Sequence, residues 1–407
     1  MTQVESSKNV LATRWGLPER VEFCRECVVS NQRPSTVVEY GHGRATRKPT
    51  IEFEDGVCSA CRYHKEKYNS ISWPNRTREL EALCDQHRAS DGSYDVIVPG
   101  SGGKDSVYVA HVLKHKYGMN PLTVTWAPHR YTEIGWSNFQ NWIDSGFENI
   151  LVTPNTKVHS QLTQFAFTNL VHPFQPFMIG QKNVAPRIAL EKKIKLIMYG
   201  ESQAEGGSLL RAEDPRMPSK FFARPDSQRR EIKLGGVSFD ELLEQGLCEG
   251  DLNPYIPVSL EEVEQQQVEV HFMSYYLLWR PQENYYYAAE HCGFQPNLER
   301  SEGTYSKYVS LDDKIDGFHF YTTFVKFGIG RATYDAAQEI RNGHITREEG
   351  VALVRKYDGQ FPVKYFEEFL NYTGLEESRF WEVIEQARSP HLWSKQDGEW
   401  VLKHQVK

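Results

Sequence analysis

Six consecutive residues, Ser101-Gly102-Gly103-Lys104-Asp105-Ser106, constrain this chain more than any other feature because of where they stand. Asp95 to Pro99 reads as a short buried strand. Beyond the glycines, Val109, Val112 and Leu113 recur at helical spacing over 106–116. A strand that runs into two glycines and then a helix brings bare backbone N–H groups close to an anion. The first helical turn adds unpaired donors and the positive end of its dipole. Lys104 supplies a mobile point charge, the Ser101 and Ser106 hydroxyls can donate to phosphate oxygens, and Asp105 can hold Mg²⁺ directly or through water. The Walker loop spaces its glycine and Gly-Lys pair further apart, so this is a different phosphate loop.

The surroundings fit such a loop. Leu122 to Trp126, Ile150 to Val152 and Leu196 to Tyr199 read as further strands, and helical patterns fall at about 137–145, 156–169 and 183–193. Strands alternating with helices predict an α/β fold with a mostly parallel, Rossmann-like sheet. Glu201 follows the strand ending at Tyr199, at a carboxyl end of the sheet where open α/β sheets bind ligands, and is a candidate site residue. The 407 residues divide by composition into a cysteine-rich stretch (1–92), the strand–helix stretch (93–255) and a helix-like stretch (256–407). Ser259 with Glu262 and Thr346 with Glu349 fit capping boxes in the last stretch. Between the second and third parts, Arg211 to Lys233 carries seven cations and three prolines. It reads as a solvated, partly mobile loop or as a basic lid over phosphates.

Five of the seven cysteines lie in the first part. Cys24-x-x-Cys27 and Cys58-x-x-Cys61 are two thiolate pairs, each aiming two sulfurs at one ion, and together they complete a Cys₄ site. The 30 residues between the pairs exceed a compact zinc ribbon's roughly 15–20, so a loop or hairpin must fill them. Structural Zn²⁺ is the expected ion, since four thiolates leave no open position for catalysis. Cys84, Cys248 and Cys292 have no partner spacing, and His42 and His64 stand outside the ligand set. The polar N-terminus lacks an apolar leader core and no apolar run approaches the roughly 20 residues of a membrane span, so a cytoplasmic, reducing setting is expected. Forty-seven Lys plus Arg against 54 Asp plus Glu give −7, which argues against a nucleic-acid-coating role.

The Ser-Gly-Gly-x-Asp-Ser loop after a strand resembles the pyrophosphate loop of the PP-loop ATP pyrophosphatases, the adenine-nucleotide α-hydrolase-like superfamily. That resemblance implies ATP cleavage between the α and β phosphates and adenylation of a carbonyl oxygen. It also implies that the end of the second strand, Val124 to Trp126, faces the adenine, with Trp126 available to stack on a ring. Three further segments narrow it: C-R-E-C-V-V-S-N-Q-R-P near the N-terminus, T-W-A-P-H-R-Y-T-E-I-G after the second strand, and the long Gly303–Arg341 segment with its Y-V-S-L-D-D-K-I-D-G core. Over roughly residues 20 to 355 the chain is similar to the N-acetyl sugar amidotransferases, which include the pseudaminic acid and lipopolysaccharide O-antigen biosynthesis amidotransferases. The resemblance implies conversion of an acetamido sugar, nucleotide-linked or free, to an acetamidino sugar. Ammonia would come from partners similar to the glutaminase and cyclase subunits of imidazole glycerol phosphate synthase. No glutaminase is visible here: Thr2 follows Met1, and Cys292 lacks a nucleophile elbow.

Within the long motif, Lys307, Asp312, Asp313, Lys314 and Asp316 cluster. The adjacent carboxylates can bind Mg²⁺ or sugar hydroxyls, or can simply open a helix at its dipole end. Lys326 and Arg331 are weaker candidates for a phosphate or sugar acid. Two rival readings stand beside this one: a PP-loop enzyme modifying tRNA, which often carries C-x-x-C pairs, and a nucleotide-binding scaffold without turnover.

Overall fold

The computed structural model describes residues 13–43, 46, 48–208 and 214–407. Its centre is a five-stranded parallel sheet made of β1 (Val96–Pro99), β2 (Pro121–Trp126), β3 (Asn149–Val152), β4 (Leu196–Tyr199) and β5 (Glu269–Phe272), in the order β5-β4-β1-β2-β3. Every residue of β1 and β2 is buried, as expected when both faces of a parallel sheet are covered. The alternation along β1 divides the two cores. Ile97 faces Val184, Ala185 and Ile188, while Val96 and Val98 face Val109, Val112, Leu113 and Trp142.

The longer helices are α1 (Ser59–Asn69), α2 (Trp73–His87), α3 (Lys104–His115), α4 (Glu133–Asp144), α5 (Thr156–Leu170), α6 (Gln175–Lys192), α7 (Pro281–Cys292), α8 (Asp316–Phe327), α9 (Arg331–Arg341), α10 (Arg347–Tyr357), α11 (Phe366–Thr373) and α12 (Glu377–Ala387). Because β2 and β3 lie on one side of β1 and β4 and β5 on the other, the chain reverses direction across the sheet at β1. A crevice opens there at the carboxyl ends of the strands.

Several elements differ from the sequence reading. Helix α6 begins at Gln175, well before 183, and carries Pro186 inside it, so the helix signal is interrupted where the helix is not. The sheet takes its edge strand β5 from beyond residue 255. That four-residue strand pairs with β4 while carrying Glu269 and His271, which hide its apolar signal. The chain also returns through a hairpin at Trp393–Gln396 and Glu399–Leu402, so the last stretch is not helical throughout.

The basic stretch is neither loose nor a lid over its described part, 214–233. Phe221, Phe222, Ala223 and Ile232 are buried in the sheet core and Ala223–Arg224 pairs with Val258–Ser259. Arg216 pairs with Glu269 and Arg230 with Glu249, which uses its cations locally; Arg211 lies outside the described residues. Ser259 caps its helix by accepting from the Glu262 N–H, and Thr346 with Glu349 forms the full capping box. Among the described residues, no helix is long and apolar enough to cross a membrane.

The cysteine-rich stretch docks on the far end of the chain. Val28, Val29 and the four paired cysteines share a core with Ala336 and Ala337 of α9 and Val351 and Val354 of α10. Arg347 donates to the carbonyls of Cys27 and Cys24, at 3.2 and 3.4 Å.

Candidate active site

The loop after β1 opens a cavity of about 300 Å³, walled by Ser101 to Ser106, by Gly200 and Glu201 after β4, and by Tyr308 to Asp312 and Arg331 from the C-terminal region. The two glycines of the loop do different jobs. Gly102 has φ +84°, and a Cβ there would sit 2.7 Å from the Phe139 Cα and 2.9 Å from the Asn138 carbonyl oxygen, so only glycine lets the loop lie against α4. Gly103 caps α3 with an ordinary φ of −69°, and a Cβ would meet nothing nearer than the Ser101 Oγ at 3.8 Å. Its missing side chain leaves the N-terminus of α3 bare toward the cavity, the arrangement that suits an oxyanion.

Lys104 Nζ lies 2.5 Å from Asp105 Oδ2, while Asn284 donates to Asp105 Oδ1 at 3.1 Å, so the loop's charges are held in place by α7. Ser106 Oγ donates to the Gly103 carbonyl at 3.0 Å. Glu201 is an exposed side chain that lines the cavity, although the cavity floor lies deep in the molecule. That depth, reinforced by the negative charges of Glu205 and Asp105, pushes its carboxyl up to about 7. A buried ion pair fixes the loop that follows it: Lys67 of α1 lies 2.8 and 3.0 Å from the two Glu205 oxygens and donates to the Trp279 carbonyl at 2.6 Å.

The adjacent aspartates of the C-terminal motif part company. Asp313 is buried; it accepts from the His129 N–H at 2.9 Å and the Ile315 N–H at 2.9 Å, and lies 2.6 Å from His129 Nδ1. Around it the backbone of 312–314 is stitched to 130–132 by Thr132 N–H to Asp312 O (3.2 Å) and Lys314 N–H to Arg130 O (2.9 Å). Asp313 is thus a staple, and Asp312 is the carboxylate turned to the cavity. Burial and the neighbouring Asp313 raise the Asp312 carboxyl, against a hydrogen bond with Ser101 that lowers it. Gly135 makes room for this segment, since a Cβ there would stand 2.4 Å from the Asp312 Cα.

Other sequence candidates lie elsewhere. Val124 is fully buried, and Trp126, 4% exposed, packs edge-on to His159 and Tyr255 under Gly180, so the adenine-facing expectation for both gives way to a core role. Lys307 is exposed and donates to the Leu298 carbonyl at 2.8 Å, outside the cavity lining. Lys326 is buried and donates to the Leu170 carbonyl at 3.2 Å, whereas Arg331 enters the cavity. Asp316, at the first turn of α8, is pushed up to about 6 by burial, opposed by the Arg331 guanidinium. Tyr308, Asn138 and Gln181 also line the cavity and carried no sequence signal of their own.

The sulfurs of Cys24, Cys27, Cys58 and Cys61 all lie within 4.8 Å of one another, with Cys24–Cys61 at 3.9 Å and Cys27–Cys58 at 3.7 Å. A tetrahedral ion with metal–sulfur bonds of about 2.3 Å needs sulfur–sulfur edges of about 3.8 Å, so the donor set fits one such ion. His42 instead neighbours Glu39 at 3.7 Å, and Cys84 and Cys292 are buried while Cys248 is exposed.

A comparison with curated proteins found no match. Among solved structures, the NH3-dependent NAD synthetase from Campylobacter jejuni subsp. jejuni NCTC 11168 is similar at 17% identity and a TM-score of 0.26, over 32% of this chain and 57% of its own. This chain therefore spans little more than half of that protein. U34-tRNA thiolase NcsA from Methanococcus maripaludis, with its [4Fe-4S] cluster, is similar at 12% identity and a TM-score of 0.27, over 82% of this chain and 97% of its own. Residues 302–407, the stretch that brings Tyr308, Asp312 and Arg331 to the cavity, match the family model described as LPS biosynthesis protein WbpG-like, C-terminal domain, and this match supports the family resemblance carried by the sequence motifs.

Proposed function

We propose that the chain is an AMP-forming, ATP-dependent amidotransferase of lipopolysaccharide biosynthesis that converts a sugar acetamido group to an acetamidino group. One observation carries this: a single cavity joins a bare-backbone anion cradle to Glu201 and to the Asp312–Arg331 side of the WbpG-like segment. An amide oxygen is a poor leaving group, so it must first be activated. The acetamido oxygen attacks the α-phosphorus of ATP, the bond to the β-phosphate oxygen breaks, and pyrophosphate leaves an O-adenylyl imidate. Ammonia then adds to the imidate carbon, the carbon–oxygen bond breaks, and AMP departs with the former amide oxygen.

The loop N–H groups and Lys104 hold the departing phosphates, and Arg331 screens charge from the opposite wall. Asp105 would hold Mg²⁺, which when bound neutralises phosphate charge. Glu201, with its carboxyl near neutrality, takes the proton that ammonia loses on adding. Cys24, Cys27, Cys58 and Cys61 would hold a structural Zn²⁺. Ammonia is supplied by separate glutaminase and cyclase-like subunits, and high ammonium replaces them.

The test incubates the protein with ATP, Mg²⁺, ammonium and a panel of acetamido sugars, free and nucleotide-linked. The expected result is AMP and pyrophosphate in step with the mass change of exchanging O for NH in one sugar. ADP release, or AMP formation with no sugar changed, would refute the proposal.

A further inference from the structure

A second chamber of about 260 Å³ shares two lining residues, Glu201 and Arg331, with the loop cavity. Two motif segments to which the sequence assigned no chemistry meet in it. Arg33 comes from the Asn-Gln-Arg-Pro run after the first cysteine pair, and Tyr334 and Arg341 come from α9. The guanidinium of Arg33 lies over the Tyr334 ring at 4.5 Å and that of Arg331 over Phe320 at 4.5 Å, which holds both planar forks in fixed orientation. Gly206 leaves space for the first, since a Cβ there would meet Arg33 Nη2 at 2.9 Å.

Three guanidiniums line the chamber against the carboxyls of Asp335 and Glu201, and Arg341 also feels the negative charge of the paired cysteines and of Glu205 behind it. Arg331 has Asp335 at 3.0 Å, but among the described residues neither Arg33 nor Arg341 pairs with a carboxylate. Arg341 donates through Nη2 to the Glu205 carbonyl at 3.3 Å, while its buried Nη1 has no partner. A buried guanidinium N–H without an acceptor carries an unmet desolvation cost, and a planar oxyanion group is what forked donors of this kind accept. Ammonium, the other small co-substrate of the proposed reaction, is repelled by the same charges.

We infer that the Arg33–Arg341 chamber binds an oxyanion group of the second substrate, a phosphate or a carboxylate, and so presents the acetamido end of that substrate to the nucleotide cavity across Glu201. This rests on the proposed function, and it makes the sugar an anionic one. Two sources share the chemistry: the diphosphate of a sugar nucleotide and the carboxylate of a sugar acid.

The full-length protein is saturated with α,β-methylene-ATP and titrated calorimetrically with UDP, glucuronate and inorganic phosphate as separate probes. Binding of UDP but not glucuronate supports a nucleotide-linked substrate, and the reverse supports a sugar acid. In either case Arg33→Gln and Arg341→Gln should each weaken the bound probe by about tenfold or more, and Arg33→Lys by less, because the point charge remains and the fork does not. Affinity for α,β-methylene-ATP should stay within about twofold in all three variants, which also reports that they are folded. Binding of none of the probes, unchanged probe affinity in both Gln variants, or displacement of the probe by the ATP analogue would overturn the assignment. AMP-forming activity is scored separately in the wild-type protein, so loss of the chamber assignment leaves the amidotransferase reading standing or falling on its own assay.

Discussion

Gly103→Ala separates what the loop does for the fold from what it does for a ligand. At φ −69° and ψ 154° the position accepts any L-residue, and the added methyl meets no atom closer than 3.8 Å. Removing a glycine from the unfolded chain stabilises by about 0.4–1 kcal/mol, and exchanging glycine for alanine at a helix N-cap costs about the same. The two nearly cancel, so the melting temperature should move by no more than about 2 °C in a chain of this size.

Turnover should respond quite differently, because the methyl projects over the N–H groups that would receive the departing phosphates. A displacement of about 1 Å at a reacting centre lowers the rate on the order of 100-fold. The control is Gly102→Ala, where φ is +84° and the methyl would sit 2.7 Å from the Phe139 Cα. A left-handed Cβ alone costs about 1–2 kcal/mol, and the backbone clash adds to it, so this variant should lose stability first. Calorimetry with a pyrophosphate-release assay on both variants checks the pair. If Gly103→Ala turned over ATP like the parent, the phosphates would not lie on that backbone.

Three further outcomes follow from the geometry. Stripping the metal with a chelator should raise amide exchange across 331–357, since Ala336, Ala337, Val351 and Val354 share the cysteine core, and it should weaken ATP binding through Arg331; unchanged exchange there would disconnect the two sites. Lys67→Met strands Glu205 in a site where the side chains are 1% and 9% exposed, a loss of about 3–5 kcal/mol by denaturant titration, and adding Glu205→Leu should recover most of it. Glu201 has a folded pKa of about 7 against an ordinary 4.5, so the folded state binds the extra proton between those values and stability falls as pH rises through the window; Glu201→Gln should flatten that slope, and an unaltered pH profile would contradict the assigned shift.

What could be read in the sequence was local, and what could not was set by distant neighbours. The strand–glycine–helix turn was legible because six consecutive residues and their flanking strand and helix contain all of its local geometry. The two C-x-x-C turns were legible for the same reason, each pair carrying its own geometry, and the structure closes them into one set of sulfurs. Asp312 and Asp313 were inseparable on paper, for both are acidic and adjacent. Their roles divide only because residues 130–132, some 180 positions away in the chain, pair with 312–314 and pin Asp313 inward. Trp126 ends a strand as an adenine-facing residue would, and only the close passage of α6 at Gly180 shows that its ring is enclosed.

Arg331 and Lys326 looked alike as isolated cations, yet a single helix break at Gly328 turns one to the cavity and leaves the other buried against Leu170. Helix α9 then ties these levels together. Its first residue walls the loop cavity, its middle packs on the cysteine core, and its last, Arg341, reaches the second chamber. An ion held by the four thiolates, far from the glycine loop in sequence, would therefore set the position of the cation opposite that loop, and this would give a closed metal site a reason to stand beside the proposed ATP site.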